Sequence, residues 1–179
     1  LAPFDRLAAT MTGELCDCYG GKEEGVLHIL AAVEEAAEAP PQVWLLDDGL
    51  ATLERARSEP LQAAAANWQA LAAWAAGLEG NEDSLLIDIG STTTDIIRLE
   101  TGAPGPGGLT DSERLQSGEL VYTGVRRTPI CALLEEADLG GQACPLAAEH
   151  FSTTLDAWLL LEEIPETPAC VDTADGRPA

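Results

Sequence analysis

Basic residues are scarce in this chain: nine Lys and Arg stand against 31 Asp and Glu, a formal net charge of −22 over 179 residues. Nucleic-acid binding draws on Lys and Arg to displace counterions from phosphates, so the balance speaks against that class of partner. An anionic membrane surface repels such a chain as well. Any anionic ligand needs a local set of donors strong enough to overcome the field of the whole molecule.

Paired cysteines are also missing. Cys16, Cys18, Cys131, Cys144 and Cys170 are odd in number and contain no Cys-x-x-Cys, which argues against a disulfide framework or a zinc ribbon. Free thiols in a reducing, cytoplasmic setting are the expectation, ahead of a metal set built from Cys16, Cys18 and His28. There is no apolar run of about 20 residues to span a bilayer, and no basic-then-apolar leader. The chain opens on Leu1, so a segment of something longer is expected.

What is present is apolar residues, 46% of the chain, enough to bury a core in one domain or two small ones. Strand-like and helix-like stretches alternate, which points to an α/β fold with a mixed sheet. Residues 6–12 form a short strand candidate. Val26, Ile29, Leu30 and Val33 recur at helical spacing from Lys22 to Ala39, before the stop at Pro40 and Pro41. QVWLL reads as a strand. An alanine-rich helix is expected from Leu61 to Gly77, with Trp68, Leu71 and Trp74 on one face. TGAPGPGG at 101–108 is a loop or hairpin, GELVYTG a strand, and residues 147–161 a third helix. The tail from Pro165 to Ala179 reads as loosely ordered.

The chemistry concentrates in SLLIDIGSTTTDIIRL, residues 84–99. An apolar stretch surrounds Asp88, then Gly90 opens a turn of consecutive hydroxyl residues, Ser91, Thr92, Thr93 and Thr94, before Asp95 and a second strand. Small side chains let a phosphate approach backbone N–H groups closely. Asp88 is placed to hold a magnesium ion, directly or through water, because a hard cation prefers oxygen. There is no Gly-Lys-Ser as in a Walker loop, so magnesium or another segment must neutralise the phosphate charge. The competing reading is a hairpin whose hydroxyls merely satisfy a turn.

The DIGSTTTDI stretch resembles the second phosphate loop of the actin-like ATPase superfamily, and especially its hydantoinase A/oxoprolinase branch. Three further stretches carry the resemblance: TMTGELCDCYGGKEEGV at 10–26, LTDSERLQSGELVYTGVRRTPICAL at 109–133, and EHFSTTLDAWLLL with TADGRP near the end. Together they are similar to the tetrahydromethanopterin-linked one-carbon-transfer pathway proteins, a family that includes a methanofuran-biosynthesis enzyme. The resemblance implies an actin-like (ribonuclease H-like) fold seen in part. Residues 1–80 would be an incomplete first subdomain. Residues 81–179 would be a second subdomain carrying the phosphate-loop hairpin and lacking its C-terminal helical part. A first Asp-x-Gly-Gly loop, expected to face the second, is not found in the chain, and exposed apolar surface is expected in consequence.

The activity so implied is a transferase reaction, joining a furanmethyl diphosphate to the phenol oxygen of a γ-glutamyl-tyramine. Its partners are those small molecules, its cofactor is Mg2+, and an oligomer stays open. ATP would replace the diphosphate ester in a hydantoinase/oxoprolinase-like or kinase-like alternative, and a non-catalytic actin-like scaffold is the third reading. Asp88, Glu14 and Arg127 are the catalytic candidates. Gly90, Ser91, Thr92, Thr93 and Thr128 are candidates for phosphate binding, and Thr10, Thr12, Asp17, Lys22 and Asp95 for substrate binding. Arg126 and Arg127 are neighbouring bases in an acidic chain, able to meet a diphosphate or a substrate carboxylate bidentately or to pair with surface acids. Glu14 is a candidate base for the phenol, a magnesium partner, or a loop carboxylate capping nearby N–H groups. Lys22 can contact phosphate or start a helix. Trp68 reads as core in preference to a stacking platform; Thr153, Thr154 and Asp156 read as structural, and His28 and His150 as ordinary helix residues.

Overall fold

The computed structural model describes residues 5–79 and 83–167; the TADGRP stretch and most of the tail expected to be loosely ordered lie outside them. In chain order the elements are β1 (Ala8–Ala9), α1 (Lys22–Ala36), β2 (Gln42–Leu45), β3 (Gly49–Thr52), α2 (Leu53–Ser58), α3 (Asn67–Glu79), β4 (Ser84–Ile89), β5 (Thr94–Glu100), β6 (Ala103–Pro104), α4 (Asp111–Ser117), β7 (Leu120–Val121), β8 (Glu136–Asp138), β9 (Ala143–Pro145) and α5 (Thr154–Leu160). The mixture of helices and several sheets is the α/β class expected. The elements divide into two units: residues up to Ser84 with Arg98–Leu109, and Leu85–Ile97 with the residues from Thr110 onward.

In the first unit, β1 and β2 pair in parallel, Ala8 opposite Gln42 and Ala9 opposite Val43. Parallel neighbours need a crossover, and α1 supplies it. β2 then turns back on β3 in antiparallel register, Val43 opposite Ala51 and Leu45 opposite Gly49. Val26 and Leu30, one helical turn apart on α1, pack with Met11, Val43, Leu45, Leu53, Ala56, Ala63 and Ala64 into one core. Each fully buried Val or Leu there is worth about 1.5–3 kcal/mol.

The alanine-rich helix starts later than its composition suggests. Residues 60–62 form a 3-10 turn, and Ala65 sits in the left-handed region at φ 48°, so α3 begins only at Asn67. Its buried row is Trp68, Ala72 and Ala76, spaced by four. Trp74, expected on the same face as Trp68, is 64% exposed. The small alanines let the helix pack closely and leave the second indole outside. Trp68 itself is core, as read from the sequence.

In the second unit, β4 and β5 are sheet neighbours joined only by Gly90–Thr93. A parallel crossover needs about a dozen residues or more, so the two strands form a hairpin. β7 lies antiparallel on β5, Thr94 opposite Val121 and Asp95 opposite Leu120. Strict alternation along β4 exposes Leu85, Ile87 and Ile89 at 62%, 57% and 59%. Asp88 shares the half-buried face with Ser84 and Leu86. The carboxylate is therefore on the more covered side of the strand with Leu86, and three of the four aliphatic side chains are on the open side, the reverse of what the apolar run suggests. The expected exposed apolar surface is present here.

Helix α4 is absent from the sequence-based expectations although its signature is local. Thr110 and Glu113 form a capping box, and Gly118 closes the helix at φ 76°. α5 starts at Thr154, seven residues after its expected start at 147, because Thr153 and Asp156 form a second capping box. The strand expected over GELVYTG shortens to Leu120–Val121. β8 and β9 form a further hairpin, closed by Gly140 and Gly141 at φ 66° and 85°, the positive φ values that a two-residue turn demands.

Candidate functional site

The hydroxylated turn between β4 and β5 is closed by the Gly90 N–H, which donates to the Thr93 carbonyl at 2.8 Å. A second segment, Thr123 to Thr128, is laid against it like a strap. The Val125 N–H donates to the Gly90 carbonyl at 3.0 Å, and the Arg126 and Arg127 N–H groups both donate to the Ser91 carbonyl, at 3.1 and 2.9 Å. Thr94 donates its hydroxyl to the Thr123 carbonyl at 2.6 Å. The carbonyls of Gly90 and Ser91 are thus used up on the strap side. The N–H groups of Ser91, Thr92 and Thr93 meet no acceptor among the described residues. A run of backbone donors without acceptors, beside small hydroxylated side chains, supplies the groups that an anion-binding turn uses.

The strap approaches so closely because Gly124 lacks a side chain. A Cβ there would lie 2.5 Å from both the Ser91 carbonyl carbon and the Thr92 nitrogen. Thr128, a phosphate-binding candidate, is 3% exposed. Its hydroxyl accepts from the Gly124 N–H at 2.7 Å and donates to the Gly124 carbonyl at 3.2 Å. In this arrangement it shapes the strap. Thr154, at the start of α5, donates its hydroxyl to the same carbonyl at 2.9 Å and its N–H to the Thr128 carbonyl at 2.9 Å. α5 therefore anchors the strap, and the strap anchors the turn.

Asp95, a substrate-binding candidate, is paired inside the unit. Arg114 on α4 is 1% exposed and donates from Nη2 to Asp95 Oδ1 at 2.8 Å and to the Glu119 carbonyl at 3.2 Å. The Asp88 side chain makes no hydrogen bond or ion pair among the described residues, so its half-buried carboxylate is uncommitted. Arg127 is exposed and Arg126 half-buried. Arg126 lines a pocket of about 460 Å³ with Val125, Trp158, Glu163, Ile164, Pro165 and Thr167.

The remaining candidates belong to the first unit. Glu14 is 1% exposed, and its Oε2 has no hydrogen-bond partner. Gly25 explains how the loop lies so close to α1: a Cβ there would stand 2.2 Å from the Glu14 carbonyl oxygen. Thr10, Thr12 and Asp17 are exposed along the same loop, and Lys22 is the half-buried first residue of α1. His28 is exposed, its ring 5.4 Å from that of Tyr19. A pocket of about 560 Å³ in this unit, bordered by Glu34, Pro40, Pro41 and Arg57, includes none of the candidates. Among the described residues no three His, Cys, Asp or Glu side chains gather to hold a metal.

Three supporting residues were not singled out from the sequence: Arg114, Gly124 and, in its tie to the strap, Thr154. The capping boxes were legible as Thr-x-x-Glu and Thr-x-x-Asp. The nonlocal contacts of Arg114 and Gly124 leave no local signal.

Comparison with known proteins bears on this arrangement. The chain is 39% identical over 173 residues to the (4-{4-[2-(γ-L-glutamylamino)ethyl]phenoxymethyl}furan-2-yl)methanamine synthase of Methanocaldococcus jannaschii, covering 96% of this chain and 52% of that protein. A protein of the same name from Methanococcus vannielii is 38% identical over 99 residues, 55% of this chain and 44% of the relative. The chain thus spans about half the length of the curated relatives it matches. No helix among the described residues is long and apolar enough to cross a membrane. The hydantoinase/oxoprolinase family model matches residues 5–178, and the chain belongs to that family.

Proposed function

We propose that this chain is part of a cytoplasmic, magnesium-dependent transferase of methanofuran-type cofactor biosynthesis, with the actin-like (ribonuclease H-like) arrangement of its superfamily. In the reaction, the phenol oxygen of a γ-glutamyl-tyramine bonds to the methylene carbon of a furanmethyl diphosphate. The carbon–oxygen bond to diphosphate breaks, the phenolic proton passes to a base, and diphosphate departs. The name of the relatives describes a phenoxymethyl-furan, the product of that bond formation.

The observation that carries the reading is the strapped turn. Its three consecutive N–H groups without acceptors sit beside Ser91, Thr92 and Thr93, where a leaving diphosphate needs preorganised donors more than a protein nucleophile. In a chain of net charge −22, such a local donor set is what an anionic ligand requires. Asp88 fits magnesium: Mg2+ usually keeps several waters and binds one or two carboxylates plus substrate phosphates, and this carboxylate is uncommitted. When bound, the ion supplies charge neutralisation for the departing diphosphate. Arg127 adds positive charge from the strap. Within the first unit, Glu14 is a candidate base, buried with one oxygen unpartnered, and Thr10, Thr12, Asp17 and Lys22 stand on the same loop and helix start.

The ATP-using alternative draws on the family assignment, because the turn's chemistry suits adjacent phosphoryl groups of either ligand. The two separate in one assay. The full-length protein is incubated with Mg2+, furanmethyl diphosphate and the tyramine acceptor, with and without ATP, and diphosphate, ether and remaining ATP are measured together. Equal amounts of diphosphate and ether are expected; ATP consumption without ether would overturn the transferase reading.

A further inference from the structure

The pocket beside the strap is not assigned by anything above, and we infer that it is the acceptor subsite, taking the aromatic ring and amino-acid head group of a γ-glutamyl-phenethylamine. The inference rests on the proposed transferase reading for the identity of the acceptor, but on its own residues for the site.

The pocket, about 460 Å³, is of the size that small-molecule sites have. Its apolar wall is Val125, Trp158, Ile164 and Pro165, and its polar groups are Arg126, Glu163 and Thr167. One cation and one anion on the rim of an aromatic wall match a ligand with a ring at one end and a zwitterion at the other. The γ-glutamyl group named in the relatives' product keeps its α-carboxylate and α-ammonium free. Arg126 complements the first and Glu163 the second, while the Trp158 indole offers its surface to the ring. A zwitterion is also not repelled by the chain's strong negative charge, as a second anion would be.

Two features show that the pocket is built and positioned. Its back wall is the strap itself: the N–H groups of Val125 and Arg126 donate to the carbonyls of Gly90 and Ser91 in the hydroxylated turn. The subsite and the turn are therefore one hydrogen bond apart through the backbone. Its far wall is held by the end of α5. Glu162 takes the left-handed conformation at φ 58°. The Glu163 N–H then reaches the Trp158 carbonyl at 3.0 Å and the Glu162 N–H the Leu159 carbonyl at 3.1 Å, a Schellman closure that turns the chain back so that Glu163 lines the same pocket as Trp158. Left-handed backbone is unfavourable for a residue other than Gly, and such strain collects where a binding surface needs a fixed shape.

The test is calorimetric titration of the full chain, wild type, Trp158→Ala and Glu163→Gln, with three probes: γ-glutamyl-tyramine, N-acetyltyramine, and inorganic diphosphate with Mg2+. The wild type is expected to prefer γ-glutamyl-tyramine to N-acetyltyramine by about tenfold or more, the scale of a charge-assisted hydrogen bond. Glu163→Gln should reduce that preference severalfold without weakening N-acetyltyramine, and Trp158→Ala should weaken both phenols. Diphosphate binding should survive in both variants. Equal wild-type affinity for the two phenols, or no phenol binding, overturns the subsite. So does an unchanged preference in Glu163→Gln, an exposed substitution that decides the matter if Trp158→Ala fails to fold. Phenol binding as expected without diphosphate binding would support the subsite and count against the turn.

Discussion

Gly124 and Ser91 touch backbone to backbone, so that any side chain at 124 would stand 2.5 Å from the Ser91 carbonyl carbon. Rigid main chain lies on both sides, and neither segment can yield by rotating a side chain. Gly124→Ala should therefore destabilise the second unit by about 1–3 kcal/mol or more and weaken diphosphate binding along with it. Gly77→Ala, in α3 with nothing within 4 Å of the added methyl, should stabilise by about 0.5–1 kcal/mol. Urea unfolding of the pair separates a close-approach glycine from a merely permissive one.

The Arg114–Asp95 pair gives a second expectation. With Arg114 1% exposed and the pair at 2.8 Å, Arg114→Ala leaves a carboxylate in a covered site, at a cost of about 3–5 kcal/mol. Asp95→Asn should cost less, because the amide oxygen still accepts from the guanidinium. The double variant should lose less than the sum of the two, as contacting residues do in a thermodynamic cycle.

Thr128 and Thr154 converge on Gly124 and should differ in kind. Thr128→Val strands the buried Gly124 N–H and should cost about 1–3 kcal/mol. Thr154→Val removes one of two donors to the Gly124 carbonyl, the other being the Thr128 hydroxyl, and should cost about 0.5–1.5 kcal/mol. Both should weaken diphosphate binding without either hydroxyl touching the ligand, which difference calorimetry can show.

At Glu162 the strain can be relieved. Its φ of 58° suits Gly, so Glu162→Gly should raise stability by about 1 kcal/mol, read as a higher urea midpoint at unchanged slope.

One surface pair carries a pH signature. Arg57 lies 2.6 Å from Glu34, and its hydrogen bond, then its charge, hold the Glu34 carboxyl below the usual value. A depressed carboxyl contributes stability above the unfolded-state pKa and loses it as pH falls through the folded one. The contribution is small at an exposed site and should fade with salt. In Arg57→Ala the Glu34 titration followed by NMR should move back up.

The sequence made the β4–β5 hairpin and the turn legible, because alternation followed by Gly and small hydroxyl residues is local information. It also identified α1, although the helix ends at Ala36, three residues short of the expected end at Ala39. It missed α4, whose Thr110–Glu113 capping box lies directly behind a Gly- and Pro-rich loop, and it extended α5 through the residues before its own cap. Asp95 and Thr128 read as ligand-facing because they are polar residues near a phosphate motif. Asp95's actual partner, Arg114, comes from a segment folded back from further along the chain, and no spacing rule reports such a contact; Thr128 turns instead to Gly124, four residues before it, within the strap. Trp74 illustrates the same limit: a three-residue interval placed it with Trp68, while the four-residue alanine row is the one that packs.

On the proposed function, the Gly90–Thr93 turn holds a diphosphate through its backbone. The most direct measurement is a titration of the isotope-labelled chain with inorganic diphosphate and Mg2+, following the amide resonances of Ser91, Thr92 and Thr93. Saturable downfield shifts of those three N–H groups are expected, lost in Gly124→Ala and dependent on Mg2+ through Asp88. Amides in the turn that stay still while the ligand binds elsewhere, or no binding at any concentration, would contradict that reading.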